Sequence, residues 1–153
     1  MTLEIGDKAP DFTLKDETGE AVSLAQFRGR NVVLVFYPMD FSGTCTKELK
    51  SLAATSDQYE AGNAEVIGIS VDSHHAHKAF KHREELSARL LSDFHPKGAV
   101  AQQYDAYLPE LGFANRATFV IDKDGVIAGK VITGPGEARN ADQYLEALAA
   151  CPA

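Results

Sequence analysis

The chain has 153 residues, of which 44% are hydrophobic and 24% charged, and its formal net charge is −7. These values are ordinary for a globular protein, so intrinsic disorder, a collagen-like repeat and a coiled coil are poor descriptions of it. The acidic balance argues against nucleic acid or an anionic membrane surface as the main partner, because both repel a negatively charged protein. The length fits one domain over residues 1–153.

The longest apolar segment and the number of cysteines exclude further classes of protein. The longest apolar run, Val32 to Tyr37, is far too short to span a bilayer. Glu4 and Asp7 stand where a signal peptide would be basic and then apolar, so we expect a cytoplasmic protein. Two cysteines, Cys45 and Cys151, are too few for a disulfide scaffold or a cysteine-rich zinc site.

The predicted elements begin with a hairpin and continue as alternating strands and helices. The apolar, β-branched segment Asn31 to Tyr37 is typical of a strand covered on both faces in a parallel sheet, and Pro38 ends it. Apolar positions at helical spacing then predict a helix with Ser42 or Thr44 as N-cap, and either choice puts Cys45 in the first turn. In chain order, the predicted elements are a hairpin over 12–24, a strand over 31–37, this helix, a strand over 64–71, a helix over 73–86 with Ser73 as its cap, and a short strand over 89–91.

The last third predicts a second hairpin and a final helix. Residues 118–121 and 126–131 are predicted strands joined by Asp122-Lys123-Asp124-Gly125, a sequence typical of hairpin turns. An apolar face that includes Tyr144 and Leu148 predicts a helix over about residues 138–150. Crossover helices require a parallel core, whereas the second hairpin adds antiparallel strands. The expected fold class is therefore α/β and thioredoxin-like, a mixed central sheet flanked by helices with an N-terminal β-hairpin extension.

Cys45 lies where chemistry is expected in such a fold. Sites in open α/β sheets form just beyond the carboxyl ends of strands, and a helix N-terminus stabilises a thiolate. The alternative is a buried cysteine that acts only as a small hydrophobic side chain. The neighbouring residues favour chemistry. Pro38 can shield the thiol from water, Ser42 can donate to an oxygen held over the sulfur, and Gly43 lets a small ligand approach the backbone.

The segment Pro38 to Cys45 consists of proline, three residues, a hydroxyl residue, two residues and cysteine. It resembles the peroxidatic-cysteine motif of the peroxiredoxins. Residues 9–14 look like the usual opening of that family, and residues 115–122 resemble its second signature, in which an arginine, here Arg116, points at the cysteine sulfur. Residues 92–100 are similar to the matching segment of the one-cysteine alkyl hydroperoxidase E group, which the chain resembles most.

The resemblance implies a thiol-dependent peroxidase acting on hydrogen peroxide, organic hydroperoxides or peroxynitrite. The Cys45 thiolate would attack one peroxide oxygen and become a sulfenic acid. Arg116 would stabilise the thiolate and the charge on the two oxygens, while Ser42 and the Cys45 backbone N–H hold the peroxide. Glu48 would orient Arg116 through a bidentate pair. The expected enzyme needs no metal, haem or flavin, because the sulfur carries the electrons, and the family implies a homodimer.

Regeneration of the thiol concerns the second cysteine. The tail Cys151-Pro152 looks like the resolving Cys-Pro of typical two-cysteine peroxiredoxins, which carry it on a longer C-terminal arm. Cys151 is therefore a candidate resolving residue, with an incidental thiol as the alternative. The one-cysteine group implies instead that an external thiol, with a thioredoxin- or glutaredoxin-like protein, completes the cycle.

Two other functions remain open at this point. One is a thioredoxin-fold thiol–disulfide oxidoreductase, against which the absence of a Cys-x-x-Cys pair counts, because Glu48 stands at its second position. The other is a non-catalytic binding or holdase module in which Cys45 is structural. Ser42 and Arg116, in their motif contexts, count against that second possibility.

Three closely spaced histidines, His74, His75 and His77, suggest a metal cluster. They stand at the start of a polar helix, and no cysteine or acidic residue lies near them at ligand spacing. We therefore expect all three on a solvated face and no metal site.

Overall fold

A computed structural model describes residues 3–152, which contain nine strands and five α-helices. The strands are β1 (Thr13–Asp16), β2 (Ala21–Ser23), β3 (Asn31–Phe36), β4 (Ala64–Ser70), β5 (Arg89–Ser92), β6 (Tyr107–Leu108), β7 (Phe113–Ala114), β8 (Arg116–Ile121) and β9 (Ile127–Thr133). The helices are α1 (Gly43–Ala54), α2 (Ser56–Ala61), α3 (His74–Glu84), α4 (Ala99–Gln103) and α5 (Asp142–Ala149). A 3-10 turn over Leu24–Phe27 follows β2.

Seven of these strands form one mixed sheet in the order β2-β1-β5-β4-β3-β8-β9. β3 and β5 both pair in parallel with β4, whereas β8 is antiparallel to β3 and to β9. The β1–β2 hairpin joins the far edge through an antiparallel pair between β1 and β5. The sheet thus has the parallel core, the second hairpin and the N-terminal hairpin that the sequence predicts.

β3 lies in the middle of the sheet because its side chains can be buried on both faces. All six of its residues are buried, and the five apolar ones, from Val32 to Phe36, alternate between two hydrophobic clusters. Leu34 and Phe36 pack on one face with Tyr104, while Val33 and Val35 pack on the other against the helices. Truncating such a side chain to alanine costs about 2–5 kcal/mol, so this strand is a rigid support for whatever follows it.

Several boundaries differ from the predicted ones for identifiable reasons. The final helix begins at Asp142 and not near residue 138, because residues 134–141 form a loop whose backbone binds side chains of the site described below. The α4 helix and the β6–β7 hairpin were not predicted, since segments of five and two residues are too short to show periodicity. Ser73 caps α3 as predicted, and its Oγ accepts a hydrogen bond from the Ala76 N–H at 3.2 Å.

The expectation that three histidines lie on a solvated face is wrong for one of them. His75 is exposed and His74 half-buried, but His77 is fully buried and hydrogen-bonded on both ring nitrogens. Periodicity places His77 on the same helix face as Phe80, which faces the core, and this spacing could have shown its burial. Within residues 3–152, no helix combines the length and the apolar character needed to cross a membrane.

Candidate active site

The corner between β3 and α1 is built by a strand that stops and a helix that begins seven residues later. Pro38 is buried at the end of β3, and the chain then forms a loop that reaches α1 at its N-cap, Ser42. Cys45 is the third residue of α1, in the first turn as predicted, and its side chain is 0% exposed. The first N–H groups of a helix have no partner within the helix, so the start of α1 offers hydrogen-bond donors to a bound anion.

Ser42 takes part in the loop in a way that the sequence did not show. Its backbone is extended, but its hydroxyl donates to the Met39 carbonyl at 3.0 Å and does not cap α1. The Ser42 carbonyl accepts from the Thr46 hydroxyl at 2.8 Å, which holds the first turn of α1 against the loop. A hydroxyl has one proton, so donation to a peroxide oxygen requires Ser42 to release Met39.

Arg116 and Glu48 lie together, as expected from the resemblance. Arg116 is the first residue of β8 and stands one position beyond the Phe36–Ala117 pair, so it reaches the same end of the sheet as Cys45. It is 3% exposed and donates from Nη1 to Glu48 Oε1 at 2.5 Å and from Nε to the Pro135 carbonyl at 2.7 Å. Glu48 is one helical turn after Cys45, a spacing that puts Cβ atoms about 5–6 Å apart.

The bidentate partner of Glu48 is Arg139 and not Arg116, which corrects the expected geometry. Arg139 Nη2 donates to Glu48 Oε1 at 2.8 Å, and Arg139 Nε donates to Oε2 at 3.0 Å. The Arg139 backbone N–H adds a third bond to Oε2 at 2.8 Å. Arg139 Nη1 meanwhile donates to the Phe36 carbonyl at 2.6 Å and to Thr118 Oγ1 at 3.1 Å. The end of β3 is thereby tied to α1 through one side chain.

Sequence reasoning missed Arg139, because its local sequence gives no signal of its role. The residue lies in an otherwise small and polar segment after β9, and its partner Glu48 is 91 positions earlier. An arginine beside the start of an apolar helix gives no hint of burial, because arginines are usually exposed. Only the fold brings Arg139, Arg116 and Glu48 together.

The charges of this cluster favour an anion near its centre. Burial alone would raise the pKa of Glu48, but hydrogen bonds and charge from Arg139, with a further contribution from Arg116, hold that pKa below its ordinary value. Glu48 is therefore ionised at neutral pH. Two guanidinium groups against one carboxylate leave these three side chains with a net positive charge one helical turn from Cys45.

Cys151 lies at the opposite end of the sheet from Cys45. It lines a cavity with Asn31, the first residue of β3, whereas Cys45 follows the last residue of that strand. Five residue steps at about 3.3 Å separate the two ends of β3 by about 16 Å. A disulfide requires Cα atoms within about 7 Å, so the folded chain does not bring its two cysteines together. Burial, and secondarily the charge of Asp122, raise the pKa of the Cys151 thiol.

The fold and the β3–α1 corner define a class of thioredoxin-like proteins. These proteins carry a cysteine in the first turn of a helix and lack the second cysteine of a Cys-x-x-Cys redox pair. Comparison with known proteins assigns the chain within that class. The model of the AhpC/TSA family matches residues 5–130, and the chain belongs to this family of peroxiredoxins.

Relatives and solved structures agree with this assignment. The chain is 40% identical over 152 residues to alkyl hydroperoxide reductase E of Mycobacterium tuberculosis, with 99% of each chain covered. It is 37% identical over 131 residues to peroxiredoxin Bcp of Bacillus subtilis, covering 82% of each. The crystal structure of peroxidoxin BcpB from Mycobacterium tuberculosis superposes with a TM-score of 0.87 at 30% identity, covering 99% of each chain. That of Enterococcus faecalis AhpC has a TM-score of 0.89 at 30% identity, covering 98% of this chain and 92% of the other.

These matches confirm three expectations drawn from the sequence. The fold is thioredoxin-like, the family is that of the peroxiredoxins, and the chain is similar over nearly its whole length to an alkyl hydroperoxide reductase E. The protein is accordingly a thiol-dependent peroxidase, the enzyme class that its motifs indicate.

Proposed function

We propose that this protein reduces hydrogen peroxide and organic hydroperoxides through a sulfenic acid at Cys45. The observation that carries the proposal is the position of Cys45, in the first turn of α1 and one turn before a buried cluster of Glu48, Arg116 and Arg139. Peroxynitrite, which also contains an O–O bond, belongs to the same proposed substrate class.

The reaction balances with the residues of this chain and one peroxide. The Cys45 thiolate attacks the nearer peroxide oxygen, so that an S–O bond forms while the O–O bond breaks. The sulfur loses two electrons and becomes a sulfenic acid, and the departing oxygen takes a proton and leaves as water or an alcohol. Pro38 keeps bulk water from the sulfur, and Ser42 and the Cys45 N–H hold the peroxide.

Transition-state stabilisation contributes more than ionisation of the thiol. A free cysteine is already a few per cent thiolate at neutral pH, so full ionisation raises its reactive fraction only about ten- to thirtyfold. Part of that gain is lost because a less basic thiolate is a weaker nucleophile. An oriented donor in a comparable site contributes about 3 kcal/mol, or more than 100-fold in rate. We assign this role to Arg116, with Glu48 and Arg139 as its support.

The return to the thiol is proposed to use an external reductant. A low-molecular-weight thiol attacks the sulfenic acid, releases water and leaves a mixed disulfide, and a second thiol, carried by a thioredoxin- or glutaredoxin-like protein, then restores Cys45. Because Cys45 is fully buried, a bulky thiol reaches it only after the first turn of α1 opens. The remote position of Cys151 supports this route over resolution by Cys151 in the same chain.

We further propose that residues 1–153 form one domain that acts as a cytoplasmic homodimer and binds no nucleic acid. The active-site loop is the segment of residues 37–42 between β3 and α1. Exposed apolar side chains in this loop and after β5, namely those of Met39, Phe41 and Phe94, support a contact with a second protein surface. A reactive cysteine that must be reduced in each cycle supports a reducing compartment. Sedimentation analysis of the reduced protein tests the dimer, because a monomer at micromolar concentration contradicts it.

Trapping the oxidised cysteine tests the proposed function. One equivalent of hydrogen peroxide is added to the reduced protein, and the sulfenic acid is trapped with a dimedone reagent and located by mass spectrometry. We expect the adduct on Cys45 within seconds and its absence in Cys45→Ser. Cys151→Ser is the matched control and should be labelled at Cys45 as fast as the natural chain. A Cys45 that stays reduced at micromolar peroxide would remove the peroxidase assignment.

A further inference from the structure

A buried network of polar side chains connects the active-site loop to α3 and to the end of β4. Asp40, two residues before Ser42, is 7% exposed, and its Oδ2 lies 2.7 Å from His77 Nδ1 on α3. The other oxygen of Asp40 accepts from the Tyr37 hydroxyl at 2.6 Å. The Asp40 backbone N–H donates to Asp72 Oδ2 at 2.8 Å. Ser70 donates to the same oxygen of Asp72.

The contacts of His77 require a proton between this residue and Asp40. Its Nε2 lies 2.9 Å from the Leu91 carbonyl, which can only accept, so Nε2 carries a hydrogen. Nδ1 then faces a carboxylate oxygen, and a hydrogen bond forms only if a second proton lies between the two atoms, on the ring or on the carboxyl group. Without that proton, two lone pairs would face each other in a buried site, which is unfavourable.

A second contact attaches the same loop to the same helix. Phe41 has a left-handed backbone with φ of 68°, unusual for a bulky residue, and its ring lies 5.0 Å from that of Phe80. The Arg83 guanidinium lies over the Phe41 ring at 5.6 Å from its centre. His77, Phe80 and Arg83 are spaced by three positions on α3 and so lie along one side of the helix. Two successive loop residues, Asp40 and Phe41, therefore rest on that side.

The network is better described as hydrogen-bonded than as a metal site. Asp40, Asp72 and His77 could together offer three ligand atoms to a metal ion. Each of those atoms is already engaged, because His77 Nδ1 pairs with Asp40 Oδ2 and Asp72 Oδ2 accepts from Ser70 and from the loop backbone. A metal would have to break the bonds that hold the loop.

We propose that His77 is a positioning residue of the peroxidase reaction, which shares with Asp40 a proton that fixes the loop carrying Ser42 and leading to Cys45. Loss of this contact would release the loop from α3 and slow the oxidation of Cys45. The proposal rests on the proposed peroxidase function, and it assigns a task to a histidine that touches neither the sulfur nor the peroxide.

The Tyr37 hydroxyl completes the contacts of Asp40. Burial, and then the neighbouring Asp40 charge, raise the pKa of Tyr37 well above its ordinary value, so Tyr37 stays a donor to Asp40. One oxygen of the Asp40 carboxyl group therefore accepts from Tyr37, and the other shares a hydrogen bond with His77.

The decisive variants are Asp40→Asn and Asp40→Ala, because an amide can keep the contact with His77 whereas alanine removes it. The Asn N–H₂ group donates to the unprotonated Nδ1 of His77, and its carbonyl still accepts from Tyr37. The rate of Cys45 oxidation is measured near neutral pH by rapid mixing with hydrogen peroxide, acid quench, alkylation and mass spectrometry. Asp40→Ala should react about tenfold more slowly than the natural chain, as for one buried charged hydrogen bond, and Asp40→Asn should restore most of that rate.

A second pair of variants separates positioning from general destabilisation. His77→Gln cannot reach both partners and should react about tenfold more slowly than the natural chain, whereas His82→Gln, at an exposed histidine on the same helix, should react at the natural rate. Amide hydrogen exchange of residues 39–44, compared at one pH, should be faster in His77→Gln than in the natural chain and unchanged in Asp40→Asn. This readout needs no peroxide, so it tests the loop contact even if the enzyme assignment fails.

Two results would overturn the inference. One is an Asp40→Asn rate about tenfold below the natural rate and equal to that of Asp40→Ala. The other is a His77→Gln rate equal to that of His82→Gln with unchanged exchange in residues 39–44. A natural chain whose Cys45 never oxidises, but whose loop exchange follows the expected pattern, would contradict the peroxidase assignment and leave the positioning contact supported.

Discussion

Replacing Arg139 by methionine tests the cluster that joins β3, α1 and β8. Methionine keeps much of the apolar stem of the arginine but makes none of its hydrogen bonds. Glu48 loses both side-chain bonds from Arg139 and keeps its Arg116 contact and the residue 139 backbone N–H. The Phe36 carbonyl also loses a donor at 2.6 Å.

The expected cost follows from breaking a buried ion pair on one side. Such a change costs about 3–5 kcal/mol, because a charge remains buried with too few partners. For a chain of this length, 1 kcal/mol corresponds to about 2–4 °C in Tm, so we expect a decrease of about 6–20 °C.

Urea unfolding followed by far-ultraviolet circular dichroism measures this free energy. The chain contains no tryptophan, so indole fluorescence cannot serve as the probe. Arg30→Met is the matched control, because Arg30 is half-exposed and pairs with Glu65 at 3.5 Å, and it should cost less than about 1 kcal/mol. A loss below about 1 kcal/mol in Arg139→Met would refute the reasoning, as would a double-mutant cycle with Glu48→Gln that shows no coupling.

Three further predictions concern the same site and the second cysteine. Arg116→Ala should slow Cys45 oxidation by more than about 100-fold in a rapid-quench assay. The thiolate fraction of Cys45, read from the absorbance at 240 nm, should change much less. Equal losses in rate and in thiolate fraction would contradict a transition-state role for Arg116. Because the folded-state pKa of Glu48 lies below its ordinary value of 4.5, its contribution to stability is present above that pH and is lost as pH falls through the folded-state pKa. The destabilisation by Glu48→Gln in urea should accordingly be larger near neutrality than near about pH 3, and a pH-independent difference would count against the ion pair. Peroxide treatment without added thiol should yield no disulfide between Cys45 and Cys151 of one chain by peptide mapping, and a rapid intrachain disulfide would show that the folded separation does not control the chemistry.

Arg116 and Arg139 show which parts of the site a short sequence motif can predict. Pro38, Ser42 and Cys45 lie within eight residues, so their spacing alone describes the loop and the first helical turn. Arg116 was found through a second short motif, and its contact with Glu48 was expected. The expected bidentate geometry was wrong because the bidentate partner of Glu48 is Arg139, which reaches it from the loop that follows β9.

What the sequence by itself determined is the succession of strands and helices and the place of Cys45 at the β3–α1 corner. These features depend on periodicity, capping and spacing, which act over a few residues. Only the tertiary structure decided that Arg139 holds Glu48, that His77 is buried beneath the active-site loop, and that Cys151 lies at the far end of the sheet. Each of these depends on contacts between residues tens of positions apart, and the packing that brings such residues together leaves no periodic pattern in the chain.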